Sequence, residues 1–176
     1  MRLFVAINFN NDTRAKLLTL RDELQSRSQR GNFSAPENLH LTLAFLGECD
    51  DRQISLAKQI VSATKFEPFE LTIGGFGKFT PNKPDICYAG VMNTPNLFAF
   101  QRNLYDNLCA RGFKLDNRKF WPHITLGREV VLRDISKTTS DVHLEPLCET
   151  VSTIELMKSE RISGKLTYTA IARSGI

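Results

Sequence analysis

Histidine is scarce in this sequence: 176 residues hold three, His40, His123 and His143. Cysteine is equally sparse. Cys49, Cys87, Cys109 and Cys148 lie far apart with no C-x-x-C pair, which removes the usual zinc and dithiol motifs. They read as buried free thiols of a reducing compartment. No apolar run approaches the length of a membrane span. The first such run, Leu3 to Ile7, is too short for a signal peptide and is followed by Asn8, Asn10 and Asp12 rather than a small-residue cleavage site. The expectation is a cytoplasmic protein without membrane contact. Low-complexity tracts, long linkers and carboxylate clusters with metal-ligand spacing are also missing, so no metal or cofactor is called for.

What is present is an ordinary globular composition, 41% hydrophobic and 24% charged. A chain of this length buries ~70% of its surface, enough for one domain over residues 1–176, read as two lobes. The net charge of +4 and the pI near 9.0 lean towards polyanions and decide little more.

The chain reads as two similar halves. Arg2 to Asn8 is rich in β-formers, and Asp12 is a fitting cap for a helix over about 13–25 with Leu17, Leu20 and Leu24 on one face. From Asn38 the period becomes two. Leu39, Leu41, Leu43 and Phe45 face one way; His40, Thr42 and Ala44 face the other. Asp50 or Asp51 caps a second helix to about Ala63, and a strand follows over 69–76 before a turn-rich stretch at Gly74-Gly75, Pro81 and Pro84. The opening order then recurs: a strand at 86–92, a helix begun by Thr94-Pro95 and ended near Gly112, and a strand at 120–127 with His123 and Thr125 on one face. The two histidines take equivalent places in two copies of one unit. Residues 151–158 and 166–173 predict a closing hairpin turned by Ser163-Gly164, and about 133–146 is read as an exposed loop.

His40-Leu41-Thr42-Leu43 and His123-Ile124-Thr125-Leu126 repeat one pattern, H-x-T-x. Each strand aims an imidazole and a hydroxyl to the same side, and duplication sets the two pairs across a shared cleft. Two imidazoles near their ordinary pKa of ~6.5 hold one proton between them at neutral pH, one accepting and one donating. That suits in-line displacement at phosphorus, with the Thr42 and Thr125 hydroxyls on the non-bridging oxygens.

These motifs resemble those of the 2H phosphoesterase superfamily. Within it, R-L-F-V-A-I near the start, N-L-H-L-T-L-A-F-L-G at 38–47 and P-H-I-T-L-G-R at 122–128 look like the bacterial and archaeal RNA 2',3'-cyclic phosphodiesterases, historically called 2'-5' RNA ligases. The resemblance implies an α+β, bilobal duplicated fold, two antiparallel sheets flanked by helices around a central cleft. It implies metal-independent opening of an RNA 2',3'-cyclic phosphate to a 2'-phosphomonoester, with His40 as proton donor and His123 as acceptor. Weak 2'-5' ligation, tRNA fragments as substrates and a monomeric enzyme belong to the same expectation. Arg128 matches an arginine of the family and would pair with phosphate oxygens; Phe45 holds the corresponding place in the first half.

Trp121, Phe120, Phe79 and Tyr88 are candidates to stack a terminal base, and Lys78, Lys83, Arg118 and Lys119 to form a basic rim. His143 reads as a surface residue. Two alternatives stay open: a 2'-5' oligoadenylate or small cyclic-nucleotide phosphodiesterase on the same fold, and a module that binds RNA ends or nucleotides without turnover.

Overall fold

The structure is a computed structural model and describes residues 1–79, 85–92, 94–133 and 145–174. Pro81, Lys83, Pro84, His143 and most of the 133–146 stretch lie outside the described residues.

Among the described residues nine strands and three helices follow one another as strand β1 (Arg2–Asn8), helix α1 (Asn11–Ser26), β2 (Ser28–Phe33), a short 3-10 turn (Pro36–Asn38), β3 (His40–Glu48), α2 (Asp51–Ala63), β4 (Phe69–Phe79), β5 (Asp85–Val91), α3 (Pro95–Ala110), β6 (His123–Leu132), β7 (Leu147–Val151), β8 (Glu155–Ile162) and β9 (Lys165–Arg173). All pairings among the described residues are antiparallel, in the order β7-β4-β5-β6-β3-β1-β8-β9, with β2 alongside β6. The order is palindromic about the β3/β6 seam. One half runs outward from β3 through β1 and β8 to β9, the other from β6 through β5 and β4 to β7. The two antiparallel halves are joined there at one residue pair, Leu41 opposite Ile124, into a single sheet where two were expected. These are the second residues of the two motifs, and both are fully buried.

The helices cover one face. Leu17, Leu20 and Leu24 of α1 and Leu97, Leu104 and Leu108 of α3 are buried against a core built from Leu3, Val5, Ile7, Leu39, Leu41, Leu71, Ile73, Ile124 and Leu126. Burying each such side chain contributes ~1.5–3 kcal/mol, and it is this apolar face that sets the strand phase. None of the described helices is long and apolar enough to cross a membrane.

Several expectations need correction. Asn10, not Asp12, caps α1, its side chain accepting the Thr13 N–H at 2.9 Å. Asp50 caps α2 in a reciprocal box with Gln53, worth ~1 kcal/mol. β2 was not anticipated; its sequence, S-Q-R-G-N-F, carries no alternation to reveal it. Gly74 and Gly75 do not end β4. They lie within it, where the register with β5 slips between Ile73 and Phe76 and Gly75 takes φ +76°, and the strand runs on to Phe79. Val151 ends β7, paired with β4 in one half, and the chain then crosses to begin β8 beside β1 in the other. The expected strand at 151–158 is therefore two strands in opposite halves. The turn of the closing hairpin is where expected, Ser163 and Gly164 both adopting positive φ. Of the cysteines, Cys49 and Cys87 are buried, whereas Cys109 and Cys148 are exposed; all four are free.

Candidate active site

Antiparallel counting from the Leu41–Ile124 pair sets His40 opposite Thr125 and His123 opposite Thr42. That register places the four polar side chains of the motifs on one side of the seam, on the face away from the helices. All four are half-buried.

Each imidazole is fixed the same way. Nδ1 of His40 lies 2.7 Å from the carbonyl oxygen of Asn38, and Nδ1 of His123 lies 2.7 Å from that of Trp121. A carbonyl only accepts, so Nδ1 carries the proton in both rings and Nε2 is the atom turned to the cleft. The two then differ. Nε2 of His40 is 3.0 Å from the Thr42 hydroxyl, which donates to it in the neutral ring. Among the described residues no protein group hydrogen-bonds Nε2 of His123.

Aromatic rings wall both sites. Phe4 and Tyr168 stand 4.9 and 5.2 Å from His40, Tyr168 edge-on. Phe79 and Tyr88 stand 5.2 and 5.5 Å from His123. Tyr88 reaches its place because Gly77 lies directly across from it on β4. A Cβ there would come within 2.6 Å of the Tyr88 ring. These walls exclude water, and the first result is electrostatic. Burial, with smaller contributions from the charges of Arg128 and His123, pushes His40 down to about 4 against the opposing pull of the Asn38 carbonyl. Burial and Arg128 likewise hold His123 below its ordinary value, opposed by the Trp121 carbonyl. The expectation of two imidazoles near their ordinary pKa is thus replaced by two held below it and neutral at pH 7.

Strict alternation puts Phe45 and Arg128 on the helix-covered face, with Leu43 and Leu126. It is wrong at both. In β3 the register slips after Thr42, which faces Ala6 while Ala44 faces Val5, leaving Leu43 over. In β6 it slips after Thr125, which faces Tyr88 while Gly127 faces Cys87, leaving Leu126 over. A bulge at the fourth motif position of each strand reverses the phase. Ala44 and Gly127 turn inward, and Phe45 and Arg128 come out on the histidine face. A second slip follows in each strand and restores the phase. In β6 it includes Glu129 in the left-handed region at φ +55°, its carboxylate held by the Asn32 amide at 2.6 Å. Arg128 is thereby brought close enough to both imidazoles to disfavour their charge.

The remaining candidates divide. Trp121 is 55% exposed and 6.4 Å from Phe79, at the rim of the His123 wall. Phe120 is not at the site: it packs on Phe98 of α3. Lys78 is paired with Asp85 at 3.1 Å and Arg118 with Asp116 at 2.6 Å, so neither is an open rim cation; Lys119 is exposed. Tyr168 and Phe4 were missed. Tyr168 stands 128 positions after His40 in sequence, and no local pattern links them. No group of three or more His, Cys, Asp or Glu suited to a cation occurs among the described residues.

Comparison with known proteins gives one consistent answer. Residues 6–162 match the model of the 2'-5' RNA ligase superfamily. The RNA 2',3'-cyclic phosphodiesterase of Thermotoga maritima is 32% identical over 90% of this chain and 87% of its own, and that of Archaeoglobus fulgidus 34% identical over 73% and 72%. Among solved structures, Escherichia coli LigT complexed with 3'-AMP superposes with a TM-score of 0.79, at 24% identity, over 98% of this chain and 95% of that one. This last likeness is one of fold.

Proposed function

Because the chain belongs to the 2'-5' RNA ligase superfamily, we propose that it is a phosphodiesterase that opens RNA 2',3'-cyclic phosphate ends to 2'-phosphomonoesters, using His40 and His123 without a metal. The observation that carries this reading is the matched pair of Nδ1 contacts, 2.7 Å each, that turn both Nε2 atoms into one cleft with a threonine beside each ring.

In this reading the phosphodiester lies between the rings. Nε2 of His123, which has no hydrogen-bond partner among the described residues, takes a proton from water as that water attacks phosphorus. The bond from phosphorus to the 3'-oxygen breaks on the far side, and that oxygen takes the proton from Nε2 of His40. His40 must be charged for this. The negative phosphodiester opposes both Arg128 and the lost hydration, so binding raises the His40 pKa and loads the acid only when substrate is present. The Thr42 hydroxyl turns from Nε2 to a phosphoryl oxygen as it does so, and Thr125 supplies the same donor from the other side. Arg128 pairs with the phosphoryl oxygens, and Phe45, at the matching place in the first half, faces the base or ribose.

The same reading takes residues 1–176 as one two-lobed domain acting as a cytoplasmic monomer on RNA ends such as tRNA fragments. With a 5'-hydroxyl in place of water as the nucleophile, the same displacement breaks the bond to the 3'-oxygen and leaves a 2'-5' linkage, so the reading includes weak 2'-5' ligation. The test is incubation of an oligoribonucleotide ending in a 2',3'-cyclic phosphate with the protein in EDTA, followed by separation of the product isomers. A 2'-phosphate product that is absent with His123→Ala supports the proposal. Turnover of small cyclic nucleotides or 2'-5' oligoadenylate in its place reassigns the substrate, and binding without product leaves a binding module.

A further inference from the structure

We propose that Tyr168 of the C-terminal hairpin also touches the substrate, its phenol donating a hydrogen bond to a phosphoryl oxygen beside Arg128. The inference rests on the reading that the cleft holds a phosphodiester.

It begins with how the hairpin is placed. The side-chain amide of Asn38 donates to the carbonyl oxygen of Leu166 at 2.9 Å, tying the start of β9 to the turn that leads into His40. Two residues beyond Leu166, Tyr168 is delivered edge-on to the His40 ring, with interplanar angle 87°, and edge-on to Phe4 at 4.9 Å. Held between two rings, the half-buried side chain has little rotamer freedom left to lose on binding a ligand.

Its hydroxyl is unspent. Tyrosines whose rings are buried usually find a partner for the O–H. Among the described residues Oη of Tyr168 makes no hydrogen bond, and it is not sealed from solvent. Burial raises the phenol pKa above its ordinary value, keeping the proton in place at any working pH, and Arg128 acts electrostatically on it as it does on both imidazoles. Phenol and both imidazoles therefore lie within electrostatic reach of one guanidinium on the histidine face, with the Tyr168 ring against that of His40. A protonated phenol beside a guanidinium, with no protein acceptor, suits an anionic oxygen that the guanidinium also contacts.

Tyr168→Phe keeps the ring contacts and removes only the donor. Two readouts are taken, kcat/KM on an oligoribonucleotide 2',3'-cyclic phosphate and the affinity for inorganic phosphate from the shifts of the histidine ring signals. Both are expected to fall about tenfold or more, the scale of a hydrogen bond to a charged group, with the melting temperature unchanged. Tyr105→Phe, on α3, is the control and changes neither. Wild-type kcat/KM and wild-type phosphate affinity in Tyr168→Phe overturn the proposal. If the wild-type protein cleaves no cyclic phosphate, the RNA-end reading fails, while the phosphate titration still decides the role of Tyr168.

Discussion

The surroundings of His40 and His123 are alike in scaffold and unlike in chemistry. Each ring gives its Nδ1 proton to a carbonyl two residues upstream, each lies beside a phenylalanine and a tyrosine, and each strand slips at the fourth motif position. The differences fall on the atoms that would meet substrate. His40 has Nε2 covered by Thr42 and is pushed down to about 4, whereas no described residue hydrogen-bonds Nε2 of His123. Five residues on, one half presents Phe45 and the other Arg128. Duplication accounts for the geometry the two rings share, and divergence at a few side chains sets them apart, which in the proposed mechanism gives the pair a direction.

Four experiments break or sharpen that comparison. The largest effect is expected from His40→Ala and His123→Ala, each lowering turnover about 10²-fold or more, the usual scale for losing a general acid or base. The double variant should be little worse than either alone, because both act in one step. Wild-type rates in both single variants would sink the mechanism.

Leu41→Ala strikes the axis between the halves. Removing a fully buried leucine should cost ~2–5 kcal/mol in denaturant unfolding. Because Leu41 is half of the pair that sets one histidine against the other's threonine, turnover of the folded fraction should fall as well. A stable variant with unchanged rate would show that the seam does not align the rings.

Acid exposes the difference in burial. His40 has its folded pKa depressed, so its contribution is complete above the unfolded value of about 6.5 and is lost as pH falls from there through about 4. With a shift of this size the loss approaches ~3 kcal/mol. Unfolding titrations between pH 7 and 4 should flatten in His40→Ala, and more than in His123→Ala. Equal slopes in wild type and His40→Ala would contradict the assignment.

The smallest effect is expected from Arg128→Met, which removes the charge that sets the second half apart. Turnover should drop about tenfold, while both histidine pKa values, read by NMR, should rise because a neighbouring cation is gone. A fall in either pKa would be inconsistent with the placement of Arg128 found here.

How much of this was legible beforehand varies by element. The duplicated order, the paired motifs and the helix faces were visible because each is a short-range pattern imposed by one buried face. The outward turn of Phe45 was not. Alternation assigns it to the core, and only the register with β1 shows that Leu43 is left over. Arg128 obeys the same slip, and its place beside the cleft was expected from family resemblance rather than from periodicity. β2 escaped notice because a polar edge partner of β6 needs no alternation. The crossover after Val151 escaped because β7 and β8 together mimic one long strand. Phe4 and Tyr168 illustrate the hardest case, since rings that desolvate His40 come from strands distant in sequence and nothing local marks them.

The paired slips in β6 also constrain how this strand can change over time. Substitutions at Leu126, Gly127 or Glu129 adjust packing, but a residue gained in β5 between Cys87 and Tyr88 would pair with Leu126, abolish the first slip and swing the Arg128 guanidinium onto the face of Ile124 and Leu126, which are both buried. An unpaired cation there costs several kcal/mol, a large share of the stability of a domain this size. A gain in β5 should therefore be tolerated only together with a compensating loss in β6, so that the offset between the two strands is inherited more strictly than the residues that fill it.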